Sequence, residues 1–221
     1  MDIITREIEK NMLDSLFQGK AIILYGPRQA GKTTLLESLS GKIGGKILLL
    51  NGDEPDVRDL LNNVTSTRLK NIIGDNKVLI IDEAQRINNI GITLKLITDN
   101  LKNVQVIASG SSSFELADKT KEPLTGRKFE FKLLPFSFAE MVNHTSLLEE
   151  KRMIEKRLVY GYYPEIVTNP DNAKKLIKLI AGSYLYKDLL IIDKIRNTEL
   201  LDKILRALAF QVGSEVSFYE I

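Results

Sequence analysis

The 221-residue sequence predicts an α/β fold, a parallel sheet with helices on both faces followed by a small all-helical subdomain. Three observations carry that expectation. Short apolar runs, closed by Gly, Pro or Asn, recur along the first 135 residues, as buried strands do. Segments with apolar residues at helical spacing separate them, the alternation that builds a parallel sheet. After about Pro135 only helical patterns remain.

Residues 3–18 carry Ile4, Ile8, Met12 and Leu16 and read as an amphipathic helix. AIILY (21–25) is the first strand, stopped by Gly26 and Pro27. A helix opens at Gly31 and ends near Gly41. KILLL (46–50) is the second strand, and residues 56–72 read as one helix. VLIID (78–82) is the third strand, 91–102 a helix, and VQVIAS (104–109) the fourth strand. KFEFKLL, from Lys128, alternates with Phe129, Phe131 and Leu133 on one face and makes a fifth strand. Helices are then expected over about 137–142, 147–160, 171–192 and 198–212, with Gly161 able to end one and Pro164 to start one. A polar break at Asn143, Thr145 and Ser146 sets the boundary: a core over 1–143 and a helical lid over 144–213.

The bulk numbers exclude several classes. The absence of cysteine removes disulfides and thiolate metal sites, and a single histidine, His144, removes any site needing two. With 31 basic and 29 acidic residues the charge gives no push toward nucleic acid or membrane. The first residues lack the basic-then-apolar pattern of a signal peptide, and no run approaches 18 apolar residues, so the expectation is a cytoplasmic protein without membrane contact.

The chemistry gathers at strand ends. Gly26-Pro27-Arg28-Gln29-Ala30-Gly31-Lys32-Thr33 matches G-x-x-x-x-G-K-[ST] between a strand and a helix, the context of a phosphate-binding P-loop. Glycines let the backbone wrap around phosphate oxygens, and successive N–H groups at the helix start favour negative charge. The nucleotide-binding set is Gly26, Pro27, Arg28, Gln29, Ala30, Gly31, Lys32, Thr33 and Thr34, with the Arg28 and Gln29 side chains turned away from the phosphates. Lys32 supplies a charge to the β- and γ-phosphates, and Thr33 ligates Mg²⁺. About 50 residues on, Asp82 and Glu83 end an apolar strand, a costly place for two carboxylates unless they have work or partners. Asp82 is expected to hold Mg²⁺ and Glu83 to act as general base on the attacking water.

Weaker candidates follow. In Ser109-Gly110-Ser111-Ser112-Ser113, Ser111, with Ser109 second, either senses the γ-phosphate or caps the next helix. Arg127 is either a finger acting on a neighbour's γ-phosphate or a surface arginine in a turn. Arg6 either lies near the base or fixes the first helix, and Asp53, Glu54 and Asp56 read as a solvated acidic loop. Tyr184, Tyr186, Lys187 and Asp188 fall in the long helix.

With GPRQAGKTTLL (26–36), VLIIDEAQ (78–85), VIASGSSS (106–113), LTGRKFEFKLLPFSFAEM (124–141), GYYPEIV (161–167) and SYLYKDLL (183–190), the chain resembles the prokaryotic AAA-superfamily P-loop ATPases with a C-terminal DUF4143 domain, relatives of the archaeal STAND-like ATPases. The resemblance implies a P-loop NTPase sheet ordered 5-1-4-3-2, ATP with Mg²⁺ as the bound species, Glu83 as catalytic acid and a helical lid. It implies that 211–221 begins a winged-helix region (residues 214–221 in the domain division), after which the sequence stops, an expectation of truncation. The expected activity is ATP hydrolysis driving a molecular switch or motor, with a homo-oligomer if Arg127 works in trans. The client, protein or DNA, is expected to engage the missing region. The competing readings are a small-molecule kinase and a non-hydrolysing interaction module. No Asn-Lys-x-Asp guanine-reading motif is present, which points to ATP over GTP.

Overall fold

A computed structural model describes residues 3–111, 124–182 and 198–214. Its five strands are β1 (Ala21–Tyr25), β2 (Ile47–Asn51), β3 (Val78–Asp82), β4 (Gln105–Gly110) and β5 (Lys128–Lys132). All pair in parallel, in the order β2-β3-β4-β1-β5, which is 5-1-4-3-2 read from the other edge. The order positions the site. β4 lies between β1 and β3, so the carboxyl ends of three strands bring Tyr25–Gly26, Ser109–Gly110 and Asp82 side by side.

Successive side chains point to opposite faces of the sheet. Ile23, Leu79, Ile81, Val106 and Ala108 share one apolar cluster with residues of α3 (Pro55–Leu61), α4 (Ser66–Ile73) and α5 (Ile90–Asn100). Ile22, Leu24, Val78, Ile80 and Ile107 share the other with α1 (Glu7–Asp14) and α2 (Lys32–Lys42). Because both faces are covered, β1 and β3 are near-continuous apolar runs, and β4 carries Val106, Ile107 and Ala108 at its centre. Each fully buried Leu or Ile contributes about 1.5–3 kcal/mol. Edge strand β2 leaves Leu49 half exposed.

Three expected helices differ in extent. Residues 3–6 are outside any helix, with Arg6 extended at φ −97° and ψ 136°, so α1 starts only at Glu7. The helix expected over 56–72 is two, because Asn63 adopts a left-handed φ of 48° and the Thr65 hydroxyl caps α4 by accepting from the Arg68 N–H. The one expected over 147–160 is α7 (Leu147–Arg152) and α8 (Ile154–Tyr160), preceded by α6 (Phe138–His144). Gly161 closes α8 at φ 76°, and Pro164 opens α9 (Pro164–Thr168).

The chain divides into two compact units, residues 1–173 and 174–221. The first contains the sheet and α1–α9. The second contains α10 (Ala173–Ile180) from Lys174 on and α11 (Thr198–Phe210). On α11, Glu199–Lys203 and Asp202–Arg206 pair one turn apart. Ser112, Ser113, the 183–190 segment with its two tyrosines, and 215–221 lie outside the described residues. Among the described residues no helix is long and apolar enough to cross a membrane.

Candidate functional site

The loop from Gly26 to Gly31 leaves the end of β1 and enters α2, as its spacing predicts. Gly26 is there because the chain after β5 crosses it: a Cβ at this position would collide with the Leu133 carbonyl. Gln29 and Gly31 both take left-handed φ, 59° and 92°, so the backbone doubles back into the concave turn that gathers N–H groups. Lys32 is 94% buried in the first turn of α2, where the positive end of the helix disfavours a cation. Its Nζ donates to the Gly26 and Pro27 carbonyls, each at 3.0 Å, and so spans the loop's mouth. Thr33 and Thr34 are exposed beside it, Ala30 is buried, and the Arg28 and Gln29 side chains are half-buried and exposed.

Two strand ends complete the arrangement. The Thr33 hydroxyl donates to Asp82 Oδ2 at 2.7 Å, joining the loop to the end of β3. Asp82 Oδ1 accepts from the Glu83 N–H at 3.0 Å and from the Ser109 hydroxyl. Asp82 is thus a buried carboxylate whose direction is fixed from both sides. The next residue, Glu83, adopts φ 48° and ψ 37°, a conformation that costs a non-glycine residue on the order of 1 kcal/mol or more. That turn throws its carboxylate out of the strand line, and Oε2 accepts from Gln85 Nε2 at 2.6 Å. Ser111 is buried just past the end of β4. Threonine hydroxyl and carboxylate are hard oxygen donors set 2.7 Å apart at a phosphate loop, a donor set that fits Mg²⁺.

The sequence candidates therefore separate. Lys32, Thr33, Asp82, Glu83 and Ser111 converge at the carboxyl ends of β1, β3 and β4. Arg127 does not join them. It precedes β5 at the amino end of the sheet, where its Nε donates to Asp99 Oδ1 at 2.8 Å. That contact holds the Asp99 carboxyl below its ordinary value of 3.8, the hydrogen bond being the largest cause. Asp53 pairs with Arg86, so the acidic loop is tied to the turn after β3. His144 lies exposed at the end of α6.

A cleft of about 440 Å³ adjoins the loop at Gly31 and Thr34. Ile3, Ile4, Leu35, Phe136 and Pro164 give it apolar walls. Its volume lies in the range of small-molecule sites. Sequence reasoning missed it because the wall residues come from four separate segments. Gln85 was visible only as part of the DEAQ string. Glu140 was also missed, although Ser137-x-x-Glu140 ahead of a helix is the spacing of a capping box, which the structure contains.

A family model described as an AAA domain, AAA_14, matches residues 18–142. A second, a domain of unknown function, DUF8612, matches residues 151–221. The chain is similar to an uncharacterized protein of Methanocaldococcus jannaschii, 26% identical over 238 residues covering 99% of this chain and 52% of that one. It is similar to another of Haemophilus influenzae, 24% identical over 242 residues covering 97% and 58%. The chain thus spans about half the length of the curated relatives it matches. A solved Walker-type ATPase of Pyrococcus abyssi shares the fold, with a TM-score of 0.56 at 20% identity over 95% of this chain and 80% of that one.

Proposed function

We propose, from the premise that the chain belongs to the AAA domain family AAA_14, that it binds ATP with Mg²⁺ and hydrolyses it as a molecular switch or motor. The Thr33–Asp82 hydrogen bond carries the reading, because it joins the phosphate loop to the strand end that precedes Glu83. In this reading the triphosphate lies along the loop, and Lys32 Nζ exchanges the Gly26 and Pro27 carbonyls for β- and γ-phosphate oxygens. Thr33 and Asp82 would hold Mg²⁺, which when bound neutralises charge on those oxygens. Ser109 keeps Asp82 aimed at the ion, and Ser111 stands where the γ-phosphate is lost. The Glu83 carboxylate takes a proton from water while the water oxygen attacks the γ-phosphorus. The bond to the β–γ bridging oxygen breaks, leaving ADP and phosphate.

The nucleoside belongs in the 440 Å³ cleft, its base between the apolar walls. Within the first unit, the helices from α7 to α9 act as the lid, with Pro164 and Thr168 of α9 on the cleft. Arg127 enters only through a second copy, by leaving Asp99 for a neighbour's γ-phosphate. A protein or DNA client that reads the switch belongs to the same proposal.

The Gln85–Glu83 bond favours a second reading, a nucleotide-binding module that stays at rest until a partner frees Glu83. Steady-state phosphate release with ATP and Mg²⁺, wild type beside Glu83→Gln, separates the two. Turnover that depends on Glu83 supports the ATPase. Tight ATP binding without turnover supports the resting module, and absence of ATP binding overturns both.

A further inference from the structure

Arg6 lies 134 residues from Glu140 in sequence and beside it in space. Both are buried. Arg6 Nε donates to Glu140 Oε1 at 3.0 Å, and the guanidinium sits 4.6 Å from the centre of the Phe136 ring. Glu140 is itself anchored at both oxygens. Oε1 also accepts from the Glu7 N–H at 2.9 Å, and Oε2 from the Ser137 N–H at 2.9 Å. One carboxylate therefore pins the starts of α1 and α6 and the arginine between them. The rest of the guanidinium is spent on carbonyls. Nη2 donates to the Leu134 carbonyl, and Nη1 donates to the Ala30 carbonyl at 2.8 Å, inside the phosphate loop.

That last bond has a consequence for the loop. A trans peptide is planar, and its C=O and N–H point in opposite directions. With the Ala30 oxygen drawn toward Arg6, the Gly31 N–H is turned the other way. Nothing local enforces this orientation, because Gly31 is a glycine and tolerates either sign of φ. A flipped Ala30–Gly31 peptide would aim a carbonyl oxygen at the anion instead of an N–H. The restraint comes from outside the loop, from Arg6, 24 residues earlier in the chain.

We propose that Arg6 is a positioning residue for the polyphosphate: its bond to the Ala30 carbonyl fixes the Ala30–Gly31 peptide with the N–H toward the anion, and Glu140 holds Arg6 in place. This rests on the phosphate-loop reading above. It differs from a role at the base, which the position of Arg6 on the cleft would equally invite.

The test is calorimetric titration of the 221-residue chain with ATP and with inorganic tripolyphosphate, which lacks a nucleoside. Arg6→Ala is expected to weaken both ligands by the same factor, roughly tenfold, the scale of one hydrogen bond to a charged group. Arg6→Lys keeps the charge and one donor group, so it should recover part of the loss for both. Glu140→Gln, which leaves Arg6 present but loosened, should weaken both to a smaller degree. In steady state KM should rise in step, while kcat changes by about twofold or less, the mark of an effect on binding alone. Thermal melting checks that each variant is folded; if Arg6→Ala is not, Arg6→Lys and Glu140→Gln carry the comparison. Loss for ATP with tripolyphosphate unchanged overturns the proposal, since Arg6 then reads the nucleoside. Unchanged binding of both in folded variants also overturns it. Wild-type protein that binds neither ligand instead overturns the phosphate-loop reading itself.

Discussion

The two ends of the sheet use similar side chains for different purposes. At the amino end, Arg127 and Asp99 pair at 2.8 Å with each about one-third to two-fifths exposed. Nearby, buried Gln105 accepts from the Phe17 N–H at 2.7 Å and donates to the Lys20 carbonyl at 2.9 Å. These groups answer one another and close the structure off. At the carboxyl end, Lys32 and Asp82 are more than 90% buried, Lys32 turned onto the loop carbonyls and Asp82 onto the Thr33 and Ser109 hydroxyls. A buried cation at a helix start works against the positive end of the helix, and an anion at the same place would be favoured by both. Open α/β sheets place ligands at the carboxyl ends of their strands. The contrast shows why burial and direction identify a site better than charge does.

The largest effect that could break the contrast is expected at Glu83. If the carboxyl end is catalytic, Glu83→Gln lowers kcat by about 10²–10⁴-fold, the usual worth of a general base, with ATP affinity retained. Turnover at the wild-type rate would remove Glu83 from the chemistry. Lys32→Ala comes next. It deletes a buried charge from the phosphate contact, a loss of roughly 2–5 kcal/mol or about 30- to 4,000-fold in Kd for MgATP. Unchanged affinity by calorimetry would mean that the ammonium serves only the loop carbonyls. Gln85→Ala sharpens the contrast from the other side. Freed from Gln85, Glu83 should turn over ATP roughly ten- to hundredfold faster if the 2.6 Å bond holds it at rest, the scale of one charged hydrogen bond. A slower variant would make Gln85 a support for the base rather than a restraint.

How far the sequence revealed these two ends depends on the range of the forces involved. The loop and the strand end at Asp82 and Glu83 were legible as features because each is a local event, a buried apolar strand stopping at a turn. The strand faces were legible as runs, since both sides of the sheet are covered. The first residues were misread as helix because Ile4, Ile8 and Met12 keep helical spacing, yet Ile4 packs with Phe136 and Met141 instead. Arg6–Glu140 and the walls of the cleft join segments more than 100 residues apart, and no spacing rule reaches that far. The break after α3 was foreshadowed by Asn62 and Asn63, weak helix formers in a pattern otherwise periodic.

The smallest prediction concerns the amino end. Arg127→Ala removes the hydrogen bond that depresses Asp99, so the Asp99 titration, followed by carbon-detected NMR, should move up toward the ordinary 3.8. The sign for stability follows. A carboxyl with a lowered folded-state pKa adds stability above its unfolded pKa and loses it as pH falls through the folded value. Wild type and variant should therefore differ in stability at neutral pH and converge in strong acid, by a small amount because the pair is solvent-screened. An Asp99 titration that stays depressed in the variant would place its cause in Lys102 and Lys95 instead. The trans role proposed for Arg127 would add a separate signature, loss of whatever turnover grows faster than protein concentration. A variant that loses it would show that an arginine spent on stability in one copy is a catalytic group for the next, and the amino end would no longer be only a closed one.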